Sequence, residues 1–132
     1  MRALIIVDVQ VDFCEGGSLR SAAARRWPRR STENPDYVSF WPRHCVAVTP
    51  GAKFHPNLDA GRIEAVFHKG GYDAAYSGFE GLHEDGGAGL ADWLRARGVD
   101  EVDIAGIATD YCVRATAEDA VREGSPPAFW WA

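Results

Sequence analysis

Three side chains of the 132-residue sequence form a chemically coherent set: the carboxylate of Asp8, the amine of Lys69 and the thiol of Cys112. A carboxylate can take the proton of a thiol, and an ammonium can stabilise the thiolate that results, so the set describes a cysteine nucleophile. Taken singly, each has a plainer use, since buried cysteines commonly only pack, an aspartate can close a turn and a lysine can face solvent. Their shared position, each just past a segment that reads as a strand, is what argues for chemistry. Cys112 is further expected in the first turn of a helix. There, free amides and the positive end of the helix dipole favour thiolate, lower the pKa below the usual ~8.5 and can serve as an oxyanion hole.

The elements that must position these residues follow from apolar patterning. Residues 3–7 are a short apolar run that reads as a strand buried on both faces, as parallel strands are. Residues 64–67 and 101–107 are the other strand candidates. Leu90, Trp93 and Leu94 share one face of a helix that Gly98 should stop. A further helix carries Val113, Thr116, Ala117, Ala120 and Val121, with Asp110 as its expected N-cap. Strands alternating with helices predict an α/β fold, a Rossmann-like parallel sheet flanked by helices. In such sheets ligands bind beyond the carboxyl ends of the strands, where Asp8, Lys69 and Cys112 are expected. The glycine- and aromatic-rich stretch 68–89 reads as an ordered functional loop.

Length and composition narrow the class. At 132 residues, 46% hydrophobic and 25% charged, the chain is expected to be a single domain, 1–132. A net charge of −5 argues against nucleic acid or an anionic membrane surface as partner. The first apolar run is broken by Asp8, too early for a signal segment, so the expected address is the cytoplasm. Cys14, Cys45 and Cys112 form no CxxC pair and do not suggest a disulfide framework. Cys14 and Cys45 read as structural, and Asp12 as a maker of local turn contacts. His44, His55, His68 and His83 show no HxH or HExxH spacing.

Two segments differ from their surroundings. Residues 20–33 form an aberrant basic loop, with Arg20, Arg25, Arg26, Arg29 and Arg30 close together and no apolar period. Residues 125–132 form an aberrant tail, where two prolines precede Phe129, Trp130 and Trp131 without alternation, and a frayed or loosely docked end is expected.

The stretches 1–19, 34–81 and 90–124 resemble the nicotinamidase/pyrazinamidase branch of the isochorismatase-like cysteine hydrolases. The motifs that carry the resemblance are DVQVDF (8–13), WPRHC (41–45), FHKG (67–70) and GIATDYCV (106–113), in that order. The resemblance implies conversion of nicotinamide, and pyrazinamide, to the acid and ammonia through a cysteine thioester. It makes Asp8 the proton acceptor and later donor, Lys69 its cationic partner and Cys112 the nucleophile. It places Phe13 and Trp41 beside the pyridine ring, with Tyr76 closing the pocket. It gives Ile107 and Ala108 the family's cis peptide, setting the Ala108 and Cys112 amides as oxyanion donors. It also implies a divalent metal (Fe, Zn or Mn), with His44 among its ligands, and a small-molecule amide as the partner.

The sequence departs from that family in two places. The interval before WPRHC is short and arginine-rich and contains no Asp-x-His element, so the remaining metal ligands of the family have no counterpart. Beyond Gly124 the family continues into further strand and helix, where this chain has residues 125–132. The fold is therefore expected to be incomplete relative to the isochorismatase-like fold, with an exposed sheet edge open to self-association. The alternatives are another small-amide hydrolase of the superfamily, or a catalytically inactive remnant that at most binds a ligand.

Overall fold

The N-terminal apolar run forms strand β1 (Arg2–Val7) in the computed structural model, which describes residues 1–18, 31–32, 41–42, 45, 47–70 and 75–131. The chain divides into two compact units, Met1–Val7 with Ile63–Ala132, and Asp8–Arg62. Among the described residues no helix is long and apolar enough to cross a membrane.

In the first unit β1 pairs in parallel with β6 (Glu101–Gly106), in register from Arg2 opposite Glu101 to Val7 opposite Gly106. The sheet continues to β7 (Pro127–Trp131), also parallel, in the order β1-β6-β7. Helices α1 (Leu90–Ala96) and α2 (Arg114–Arg122), with the turn that leads into α2, pack on the sheet: Val7, Val102 and Ile104 are buried with Leu90, Leu94, Val113, Ala117 and Ala120. This is the α/β architecture the patterning predicts.

The strand details correct that expectation in three places. First, β1 is buried on one face only, since Leu4 is 61% and Ile6 38% exposed while Val7 is 3% exposed. Both faces carry apolar residues, so the period of two is invisible until packing chooses a side. Second, the candidate strand 64–67 is reduced to β4 (Phe67–His68), which pairs antiparallel with β5 (Leu82–His83) outside the parallel sheet. Lys69 thus follows a two-stranded ribbon instead of a parallel strand. Third, the tail is an ordered strand and not a frayed end. Its prolines sit before and at the first residue of β7, where a missing N–H does no harm, and aromatic residues favour strand. Gly124 ends α2 at φ 80°, the buried Ser125 donates its amide to the Ala120 carbonyl at 2.9 Å, and the Val102 amide donates to the Pro126 carbonyl at 3.3 Å.

Gly98 and Gly106 are among the glycines that the backbone geometry requires. Gly98, at φ 68°, closes α1: its amide donates to the Arg95 carbonyl at 3.0 Å and that of Val99 to Leu94 at 3.1 Å. This six-to-one and five-to-two pairing satisfies the helix's terminal carbonyls. Gly106, at φ 146°, ends β6, and a Cβ there would stand 2.0 Å from the Val7 carbonyl oxygen.

The second unit starts at Asp8, which adopts φ 52°, a left-handed conformation that Asp tolerates better than most residues. A short 3-10 turn, Val11–Phe13, follows and buries Phe13. Asp12 makes the local contacts its position suggests, accepting the Cys45 amide at 2.7 Å and that of Ser18 at 3.4 Å. Gln10 bridges to Phe54, and its Nε2 donates to the Ala52 carbonyl at 2.7 Å. Two short segments, β2 (Ser31–Thr32) and β3 (Trp41–Pro42), pair in parallel. Apart from Ser31 and Thr32, the basic loop lies outside the described residues.

Candidate active site

Cys112 sits on a single π-helical turn, Thr109–Val113, that leads into α2. It is 1% exposed. The expected N-cap at Asp110 is not observed: Ala108 occupies that position without a side-chain cap bond, and Asp110 lies within the first turn. The wider turn moves the start of the helix back by two residues. The Ala108 carbonyl accepts the amides of Tyr111 at 3.3 Å and Val113 at 3.2 Å, and the Ile107 amide donates to the Val7 carbonyl at 3.0 Å. The Ile107–Ala108 peptide is cis.

Lys69 reaches this turn from the end of the β4–β5 ribbon. Its Nζ donates to the Ala75 carbonyl at 3.3 Å and lies 3.6 Å from Cys112 Sγ. An ammonium held this close to a sulfur shielded from water favours the thiolate, because the attraction is screened far less than at the surface. Tyr76, packed against the core, faces Tyr111 with ring centroids 6.2 Å apart.

Of the residues singled out by chemistry, Lys69 and Cys112 are therefore in contact. Asp8, half-buried, and Phe13, buried, belong to the second unit. Trp41 is described there by its backbone in β3, and His44 lies outside the described residues.

Sequence reasoning missed what holds Lys69 in place. Ser77 caps a 3-10 turn, Gly78–Glu80, through a capping box with Glu80. The Ser-x-x-Glu spacing was readable as such a box. The Ala75 carbonyl carries no side-chain signal and could not have been found.

A metal does not fit the described residues. No group of three or more His, Cys, Asp or Glu among them is placed to hold one. The described histidines are engaged elsewhere: His68 Nε2 lies 3.4 Å from Glu84 Oε2, while the Nδ1 atoms of His55 and His83 accept the amides of Asn57 and Asp85, each at 3.2 Å.

The isochorismatase domain family matches residues 27–128. The chain belongs to this family. Its parallel sheet with helices packed against it is the isochorismatase-like fold. Within the family, the chain is 54% identical to the nicotinamidase/pyrazinamidase of Mycobacterium tuberculosis over 151 aligned positions, taking in 94% of this chain and 81% of that protein. Among solved structures, a protein from L. infantum in complex with nicotinate superposes with a TM-score of 0.69 at 31% identity, covering 94% of this chain and 75% of that one. The pyrazinamidase of Pyrococcus horikoshii, solved in complex with zinc, superposes with a TM-score of 0.63 at 36% identity, covering 94% and 80%.

Proposed function

We propose that this isochorismatase-family chain is an amidohydrolase that converts nicotinamide, and pyrazinamide by the same chemistry, to the acid and ammonia through a thioester on Cys112. The observation that carries the reading is the Lys69 ammonium 3.6 Å from Cys112 Sγ. The 54% identity to a nicotinamidase/pyrazinamidase supports the choice of substrate.

In this reading Asp8 takes the thiol proton and the sulfur attacks the carboxamide carbon. The carbonyl oxygen, now carrying the charge, receives hydrogen bonds from the Ala108 and Cys112 amides. Asp8 returns the proton to the nitrogen, the C–N bond breaks and ammonia leaves. Water then attacks the thioester carbon and restores the thiol, so one amide and one water give one acid and one ammonia. Phe13, Trp41, Tyr76 and Ile107 are assigned to hold the ring. The address assigned to the chain is the cytoplasm, a reducing compartment in which a cysteine nucleophile keeps its thiol.

Among the described residues no metal donor set is assembled, which favours a second reading, a chain that binds the amide without turning it over. Ammonia release from nicotinamide by the purified chain, with and without added divalent metal and beside Cys112→Ala, decides between them. Release that depends on Cys112 supports the hydrolase. Binding by calorimetry with no release supports the second reading.

A further inference from the structure

Thr116 is fully buried, 0% exposed, one helical turn beyond Cys112. Its Oγ1 donates to the Cys112 carbonyl at 2.6 Å and accepts the Gly78 amide at 2.9 Å. A hydroxyl has one proton and two lone pairs, so it makes both bonds at once. The first bond alone is the ordinary habit of a helical threonine. The second reaches a different segment.

That segment is the turn that anchors Lys69. The amides of Tyr76 and Ser77 both donate to Glu80 Oε2 at 2.9 Å, and that of Phe79 to Ser77 Oγ at 3.1 Å. Immediately before them stands Ala75, whose carbonyl accepts Lys69 Nζ at 3.3 Å. The bonds thus form a closed circuit: Cys112 carbonyl, Thr116 hydroxyl, Gly78 amide, the turn back to Ala75, the Lys69 ammonium, and the Cys112 sulfur.

We infer that Thr116 is a positioning residue, which sets the spacing between the Lys69 ammonium and the Cys112 sulfur by tying the nucleophile's helix to the turn that holds the ammonium. Removing the hydroxyl leaves the Gly78 amide without this acceptor and lets the turn, with Ala75 and Lys69, shift against α2. The inference rests on reading Cys112 and Lys69 as a thiolate and its cation, and it does not require the chain to turn over any particular amide.

The test is the pH profile of Cys112 alkylation by iodoacetamide, read on the Cys112 peptide by mass spectrometry in the full chain. Thr116→Val is expected to slow alkylation near neutral pH roughly tenfold and move the profile to higher pH, since thiolate fraction sets the rate. Thr116→Ser, which keeps the hydroxyl, is expected to remain within about twofold of the parent. Val102→Ala, a core truncation away from the circuit, should lower thermal stability and leave the profile unchanged. If Thr116→Val does not fold, Thr116→Ala reads the same loss on a residue that suits a helix. A folded hydroxyl-less variant with the parent profile overturns the inference. A shifted profile in a chain that releases no ammonia from nicotinamide sinks the amidase reading and leaves the tie standing.

Discussion

Lys69 Nζ stands 3.6 Å from Cys112 Sγ, although 43 positions separate the two residues in the chain. The lysine arrives from an antiparallel ribbon and the cysteine from a turn at the end of the parallel sheet, so neither element alone defines the pair. What brings them together is the packing of the ribbon and α2 on one core.

Replacing Cys112 with Ala should lower ammonia release by about a thousandfold or more, because in the proposed mechanism its sulfur forms the covalent intermediate. The fold should survive, since a small buried side chain is exchanged for a slightly smaller one, at a cost of about 1 kcal/mol. Steady-state assay beside a thermal melt checks both halves. Residual turnover near that of the parent would mean that the nucleophile lies elsewhere.

Lys69→Met keeps the length and removes the charge. Amide turnover should fall by roughly a hundredfold, and the Cys112 alkylation profile should move to higher pH as the thiolate loses its cation. A profile identical to the parent would show that the ammonium does not act on the sulfur.

Gly106→Ala should prevent folding or reduce stability by more than about 3 kcal/mol, because the new Cβ meets backbone and not a movable side chain. The clash is with the Val7 carbonyl, at 2.0 Å, where β1 and β6 end together. Soluble yield and circular dichroism give the answer, and a normally folded Gly106→Ala would refute the close approach.

Metal content should be well below one divalent ion per chain, and dialysis against a chelator should leave the melting temperature unchanged. Among the described residues no three donors converge to hold an ion. Elemental analysis finding one ion per chain, lost together with stability on chelation, would overturn this.

Asp100 carries a carboxyl pKa lowered from 3.8, chiefly by its hydrogen bond with the N-terminal ammonium, whose nitrogen is 2.7 Å away. A depressed folded-state pKa stabilises the protein above the unfolded value, and that contribution is lost as pH falls through the folded one. Asp100→Asn should therefore flatten the dependence of the melting temperature on pH below about 4, where an ordinary aspartate titrates. The pair is exposed, so the change at neutral pH should be small. An unchanged acid limb in Asp100→Asn would remove this pair from the account.

The sequence alone settled what depends on neighbours along the chain. The β-branched run of β1, the face of α1 shared by Leu90, Trp93 and Leu94, and the stop at Gly98 are local, because backbone sterics and short-range periodicity decide them. The candidacy of Cys112 and Lys69 was legible in residue type. Tertiary structure decided the rest. Leu4 and Ile6 lie on the open face of β1 because α1 and α2 cover the other. Residues 127–131 are a strand because β6 offers an edge to pair with. Lys69 reaches Cys112 through a main-chain carbonyl at Ala75 and a hydroxyl at Thr116, neither of which advertises itself in sequence. Pairing between distant segments is won by burial and hydrogen bonding across space, and a one-dimensional pattern does not record which partner each segment will find.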